Sequence, residues 1–110
     1  MALAEEGPPL AALALTTDSS ILTSIGNDYR FEDVFAKQVA ALGRPGDVAW
    51  GISTSGNSPN VVAAIAEARG RGLATVGMTG RGGALAAGAD LVFTVDSDVT
   101  ARIQETHITI

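Results

Sequence analysis

The sequence contains no cysteine, a single histidine and only 5% aromatic residues. The lack of cysteine excludes a disulfide scaffold and thiol chemistry. Basic residues are few, because 7 Lys and Arg stand against 12 Asp and Glu for a net charge of −5, and no basic run of the kind expected in nucleic-acid-binding proteins is present. The apolar stretch at 10–15 is only six residues long and follows Glu5 and Glu6, so we expect neither a signal peptide nor a membrane span. These absences predict a cytoplasmic protein without nucleic-acid or membrane partners.

Apolar residues make up 46% and charged residues 17% of the 110 positions, which is typical of one globular domain. Apolar segments of strand length alternate with amphipathic segments of helix length. The predicted strands are 10–15, 47–53, 73–79 and 91–95, and the predicted helices are 30–42, 59–70, 81–87 and a last one from about Thr100. This alternation predicts an α/β fold with a doubly wound parallel sheet of about four strands. Residues 1–9 are expected to form an irregular lead-in.

Four hydroxyl residues occupy the segment Ser-Thr-Ser-Gly-Asn-Ser at 53–58, which we call the serine loop. The loop connects a predicted strand to a predicted helix, where backbone N–H groups and the helix dipole favour an anion. Ser53, Thr54, Ser55 and Ser58 can add hydroxyl donors. The loop matches neither a Walker loop nor the dinucleotide-binding glycine pattern. Two interpretations therefore stay open, a phosphate cradle and an ordinary turn in which Ser58 caps the next helix.

The segment GISTSGNSPNV resembles the phosphosugar-binding loop of the sugar isomerase (SIS) domain family. Gly-Asn-Asp at 26–28 and Arg-Ile-Gln-Glu at 102–105 make the chain similar to the phosphoheptose isomerase branch, in the same order and spacing. The resemblance extends from about Leu10 to the last residue. It implies a flavodoxin-like, three-layer α/β/α fold and the aldose–ketose isomerisation of sedoheptulose 7-phosphate to heptose 7-phosphate in the ADP- or GDP-heptose pathway.

The resemblance also implies roles for individual residues. Ser53, Thr54, Ser55 and Ser58 would bind the phosphate, Asn27 and Asp28 would contact the sugar, and Gln104 would contact substrate and, in zinc-containing members, the metal. Two structural alternatives remain open, since Asp28 could cap the helix beginning near Arg30 and Gln104 could be a solvated helix residue. Zinc is the only cofactor implied, with no redox or nucleotide cofactor, and the family forms tetramers with sites at subunit interfaces.

The sequence departs from the family pattern at its catalytic positions. The family's catalytic glutamate precedes the position of Leu10, and its catalytic histidine would fall two positions beyond Ile110. Ala101 stands where family members have an acidic residue. His107 is a candidate acid, but packing or support of another group is the favoured interpretation. We therefore expect residues 1–110 to form one partial SIS domain that binds a sugar phosphate without isomerising it.

Two further interpretations of function remain open. One is a non-catalytic SIS protein that senses a sugar phosphate or binds a protein partner, as does the homologue that associates with the bacterial replication initiator. The other is a different SIS isomerase, such as one acting on arabinose 5-phosphate. Intact catalytic Glu and His positions in the complete gene would favour the enzyme, and their absence would favour the binding protein.

Overall fold

The structure is a computed structural model that describes residues 9–97 and 99–109. The expected lead-in at 1–9 lies outside the described residues except for Pro9, which is exposed and has no regular structure. The elements, in order, are α1 (Ser19–Asp28), a 3-10 turn (Phe31–Asp33), α2 (Val34–Leu42), β1 (Val48–Ser53), α3 (Pro59–Gly70), β2 (Ala74–Thr79), α4 (Ala84–Gly88), β3 (Leu91–Thr94) and α5 (Thr100–Thr109). None of the described helices is long and apolar enough to cross a bilayer.

The described strands form one parallel sheet in the order β1-β2-β3. Ser53 at the end of β1 is aligned with Thr79 at the end of β2, and Thr79 is aligned with Thr94 at the end of β3. The carboxyl ends of the three strands therefore form one edge. Loops that leave this edge lie side by side, as expected for a ligand site in an open α/β sheet. The predicted α/β class with a parallel sheet is confirmed.

Helices α2 and α3 pack over the sheet through small and branched side chains. The main buried cluster consists of Val39, Ala64, Ala68 and Leu73. The other face of the sheet carries large apolar side chains that remain more than half exposed, namely Val48, Trp50, Ile52 and Leu91. On that face the rings of Trp50 and Phe93 stack with their centroids 6.3 Å apart. The described core therefore lies mainly between one face of the sheet and α2 and α3.

The strand predicted at 10–15 is wrong. These residues have no strand structure, and Leu10 and Leu13 are 87% and 70% exposed. Only the last residue is held against the core, where the Gln38 amide donates to the Leu15 carbonyl at 2.9 Å. A short apolar run has no periodicity that identifies a strand, and here the described residues offer it no strand partner. The described sheet thus has three strands instead of about four.

Helix α1 was not predicted from the sequence. Asp18 caps it, since the Ile21 amide donates to the Asp18 carboxylate at 3.1 Å. Asp28 lies in the last turn of α1, so the interpretation of Asp28 as the cap of the following helix is wrong. That following helix, predicted from Arg30 to Leu42, is present as the 3-10 turn and α2.

Candidate functional site

The serine loop leaves β1 at the carboxyl edge of the sheet and enters the 12-residue helix α3. Pro59 occupies the first turn of α3, as predicted, where its missing N–H costs nothing. The loop therefore combines the positive end of a helix dipole with a cluster of hydroxyl groups. This combination is suited to an anion with several acceptor oxygens.

The Ser53 hydroxyl organises the loop from inside. Ser53 is 4% exposed, and its Oγ accepts from the Gly56 amide at 3.1 Å and from the Ser58 amide at 3.4 Å. The same oxygen lies 2.7 Å from Ser58 Oγ and 3.4 Å from Ser55 Oγ. The hydroxyls of Ser53, Ser55 and Ser58 are therefore brought together at one point. Because Ser53 is buried, its main part in the loop is to orient its two more accessible neighbours.

Ser58 occupies the residue before α3, but its side chain does not cap that helix. Only its backbone carbonyl bonds to the helix, where it accepts a hydrogen bond from the Val62 amide at 3.0 Å. The Val61 amide instead donates to the side chain of Asn60 at 2.9 Å. The interpretation of Ser58 as a simple side-chain cap is therefore wrong, because its hydroxyl is directed to Ser53 within the loop.

A second loop, Gly80-Arg81-Gly82-Gly83, packs against the serine loop and is called the glycine loop here. Gly56 has φ +72°, and a Cβ there would overlap the Gly82 carbonyl. The Gly56 carbonyl accepts from the Leu85 amide at 2.8 Å, and the Asn57 side chain accepts from the Ala84 amide at 3.0 Å. Gly56 therefore permits a close approach between the serine loop and the backbone of the glycine loop.

The glycine loop also explains where α4 begins. A helix was predicted from Arg81, but α4 starts at Ala84. Gly82 and Gly83 have φ of +117° and +84°, which a right-handed helix does not allow. The short helix is thus displaced because these residues shape the loop that faces Gly56.

His107 is buried at 8% exposure and reaches the carboxyl edge from α5. Its Nε2 lies 2.9 Å from the Thr79 carbonyl oxygen. Because a carbonyl only accepts, Nε2 carries the proton and donates it. Nδ1 is buried and has no hydrogen-bond partner within residues 9–97 and 99–109. This geometry supports the interpretation of His107 as a packing or supporting residue.

The remaining residues assigned by resemblance lie on other elements. Asn27 and Asp28 are exposed at the end of α1, along a surface groove that is also lined by Ser20, Thr23 and Ser24. Gln104 is exposed on α5. Among the described residues, no hydrogen bond or ion pair joins Asn27, Asp28 or Gln104 to the serine loop. The structure thus brings together the phosphate-binding candidates but not the sugar-binding ones.

The described side chains do not form a metal centre. No group of three or more His, Asp or Glu side chains in this part of the chain could hold a metal ion. Gln104 therefore lies beside no such three-residue ligand set within the described part of the chain.

Comparison with known proteins decides the family of the chain. The sequence profile of the SIS domain matches residues 3–80, which is more than half of the chain. The chain belongs to the SIS domain family. The resemblance found in the serine loop is thereby confirmed.

The curated relatives of this SIS domain carry the name phosphoheptose isomerase. The protein from Nitratidesulfovibrio vulgaris strain Hildenborough is 64% identical over 106 residues, which cover 96% of this chain and 51% of the relative. The protein from Roseiflexus sp. strain RS-1 is 62% identical over 102 residues, covering 92% of this chain and 52% of the relative. The chain thus spans about half the length of the curated relatives it matches.

Two solved structures share the fold. The phosphoheptose isomerase from Neisseria gonorrhoeae matches with a TM-score of 0.88 and 55% identity, over 90% of this chain and 57% of that one. The phosphoheptose isomerase from Francisella tularensis matches with a TM-score of 0.89 and 44% identity, over 94% of this chain and 56% of that one. The two structures confirm the SIS-type fold of this chain.

Sequence reasoning missed the residues of this SIS domain that hold the serine loop in place. The Asn57 side chain, within the loop, accepts from the Ala84 amide, which is 27 positions away and directly follows the glycine loop. The only signal in the sequence was the Gly-x-Gly-Gly segment at 80–83, because clustered glycines indicate a loop and not a helix.

Proposed function

We propose that the serine loop binds the phosphate group of a sugar phosphate, and that the protein to which this SIS domain belongs interconverts sedoheptulose 7-phosphate and heptose 7-phosphate. The observation that carries the proposal is the convergence of the Ser53, Ser55 and Ser58 hydroxyls at the start of α3. The name phosphoheptose isomerase, borne by relatives that are 64% and 62% identical, supports the choice of substrate.

The phosphate would be held by neutral donors. Ser55 is exposed, Thr54 and Ser58 are half-buried, and each carries a hydroxyl at the mouth of the loop. Hydrogen bonds to a charged group contribute about 1.5–3 kcal/mol each, so a few such donors suffice without a lysine or arginine. The dipole of α3 adds to their attraction. Asn27, Asp28 and Gln104 would contact the sugar in the complete protein.

The reaction itself is a proton transfer. An aldose–ketose interconversion moves one proton between C1 and C2 and another between the two oxygens, through an enediol. It requires a general base and a general acid within hydrogen-bond reach of those atoms. Among the described residues we assign neither, because His107 is buried and donates from Nε2 to Thr79. Under this proposal the 110-residue chain binds the sugar phosphate but does not turn it over.

A second candidate is a non-catalytic SIS domain that senses a sugar phosphate or binds a protein partner, since no general base or general acid is assigned among the described residues. The two candidates differ in one result. The complete protein should form heptose 7-phosphate from sedoheptulose 7-phosphate if it is the isomerase, and should bind the sugar without turnover if it is a sensor.

Calorimetry tests the shared part of both candidates. The 110-residue chain, shown by circular dichroism to be folded, is titrated with sedoheptulose 7-phosphate and separately with sedoheptulose. Binding of the phosphorylated sugar alone supports the proposal. Equal binding of both sugars, or of neither, would remove the phosphate cradle.

We also propose a cytoplasmic location, and the family resemblance leads to two further expectations for the complete protein, namely a homotetramer and zinc binding. Light scattering coupled to size exclusion measures the first, and metal analysis of the purified protein measures the last. A monomer without bound zinc would contradict both of these expectations.

A further inference from the structure

The peptide group between Thr79 and Gly80 connects α5 to the serine loop. Its carbonyl oxygen, on Thr79, accepts from His107 Nε2 at 2.9 Å. Its N–H, on Gly80, donates to the Thr54 carbonyl at 3.0 Å. This peptide group therefore accepts a hydrogen bond through its oxygen and donates one through its N–H.

We propose that His107 is a positioning residue for the serine loop, acting through the Thr79–Gly80 peptide on the backbone of Thr54. The inference rests on the proposed function, because the loop it positions is the proposed phosphate cradle. The hydrogen bond of His107 goes to Thr79, outside the serine loop. It sets the orientation of the peptide that holds the loop at Thr54.

Two physical effects transmit the influence of His107. A hydrogen bond to a carbonyl polarises the peptide group and strengthens its N–H as a donor, so the bond from Gly80 to Thr54 depends on the bond from His107. The surroundings are also tightly packed, since a Cβ at Gly80 would lie 2.6 Å from the Thr54 carbonyl oxygen and 2.7 Å from Ile103 Cδ1. A tilt of this peptide therefore displaces Thr54 instead of being absorbed by empty space.

The Thr79 carbonyl has a second donor, which limits the damage of losing the first. The Val95 amide donates to the same oxygen at 3.1 Å. Removal of the His107 donor therefore does not leave a buried carbonyl without any partner. Variants of His107 are accordingly expected to fold, and their effect should appear in the geometry of the loop.

The chain offers a sharp set of substitutions at this position. His107→Gln carries an amide donor at the distance of Nε2, whereas His107→Asn carries one only at the distance of Nδ1. Ile103→Val on the same helix trims the side chain that faces Gly80 and keeps His107. A merely structural role would make the two amide variants similar. A positioning role predicts that His107→Gln retains function and His107→Asn loses it.

The experiment measures two properties of the 110-residue chain and its three variants. The first is the affinity for sedoheptulose 7-phosphate by calorimetry, expected to fall about tenfold in His107→Asn and less than about twofold in His107→Gln and Ile103→Val. The second, without ligand, is the chemical shift and hydrogen exchange of the Gly80 amide, expected to change in His107→Asn and to be retained in His107→Gln.

The outcomes separate the two proposals. If the unsubstituted chain does not bind the sugar phosphate, the proposed function fails, and the Gly80 amide alone then decides the role of His107. A Gly80 amide that is the same in all variants overturns the positioning role. So does an equal loss of affinity in His107→Gln and His107→Asn.

Discussion

The hydroxyl oxygens of Ser53 and Ser58 lie 2.7 Å apart, although five positions separate the two residues in the chain. The contact closes the serine loop on itself, because Ser53 also accepts from the Gly56 amide. The end of β1 and the start of α3 are thereby linked through one buried oxygen. This link gives Ser53 and Ser58 a structural role in closing the loop, whereas Ser55 is exposed.

Ser53→Ala should destabilise the protein. The substitution leaves the Ser58 hydroxyl without its partner at 2.7 Å and removes one acceptor of the Gly56 amide. Loss of a buried hydrogen-bonding group of this kind costs about 1–3 kcal/mol. Urea unfolding followed by circular dichroism measures the change. A midpoint equal to that of the unsubstituted chain would show that the hydroxyl contact does not stabilise the loop.

Ser55→Ala should affect binding more than folding. Ser55 is exposed, and its Oγ accepts only the Asn57 amide at 3.0 Å besides its longer contact with Ser53. We expect affinity for sedoheptulose 7-phosphate to weaken by about 1–3 kcal/mol with little change in the unfolding midpoint. Thr16→Ala, at an exposed hydroxyl residue outside both the serine loop and the groove along Asn27 and Asp28, is the control and should leave this affinity nearly unchanged. An unchanged affinity in Ser55→Ala would argue against the cradle.

Gly56→Ala should be far more damaging than Gly70→Ala. At Gly56 the φ of +72° disfavours alanine, and the new Cβ would overlap the Gly82 carbonyl, so the serine and glycine loops must separate. At Gly70, in the last turn of α3, a Cβ meets no atom within 4 Å. We expect Gly70→Ala to be neutral or to stabilise by about 0.5–1 kcal/mol. Thermal unfolding compares them, and equal midpoints would contradict the contact between the two loops.

Asp90 should make stability depend on pH in the acidic range. Its carboxylate accepts from the Thr75 amide at 2.9 Å and from the Thr75 hydroxyl at 3.0 Å, and Arg69 lies 3.5 Å away. The backbone hydrogen bond from Thr75, then its side-chain bond and the Arg69 charge, hold the pKa of Asp90 below its ordinary 3.8. Because the folded-state pKa is depressed, the stabilisation is complete above the unfolded-state pKa and is lost as pH falls through the folded one.

Asp90→Asn tests this dependence, since it keeps an acceptor oxygen and removes the charge. The variant should be less stable than the unsubstituted chain at pH 7, and the difference should shrink as the pH falls below about 3.8. Urea midpoints at several pH values measure it. A difference that is constant over the whole range would show that the charge of Asp90 plays no part.

The sequence predicted best those elements whose signal is local. β1, β2 and β3 were placed within a residue of their observed bounds, because each is a short, mainly apolar run that follows a glycine-containing segment. The run at 10–15 has the same signal, yet lacks a strand neighbour in the described sheet. Helix α1 was missed because the hydroxyl residues at its start resemble a loop, although Asp18 is an ordinary N-cap.

The sequence predicted which residues form the serine loop but not the contacts that hold that loop in place. The serine loop and its hydroxyls were recognised from spacing and resemblance. The contacts that hold the loop, from Gly80 to Thr54 and from His107 to Thr79, join positions that are 26 and 28 residues apart in the sequence. The first pair depends on the register of β1 against β2 and the second on the packing of α5 at the end of β2, and no local pattern specifies either.

The binding of phosphate at the serine loop is tested most directly by residue-resolved NMR. The ¹⁵N-labelled 110-residue chain is titrated with sedoheptulose 7-phosphate and, in a parallel sample, with sedoheptulose. The account predicts that the amides of Ser55, Gly56 and Asn57 shift progressively with the phosphorylated sugar and stay in place with the other. Shifts confined to residues outside the loop and the first turn of α3, or identical shifts with both sugars, would contradict it.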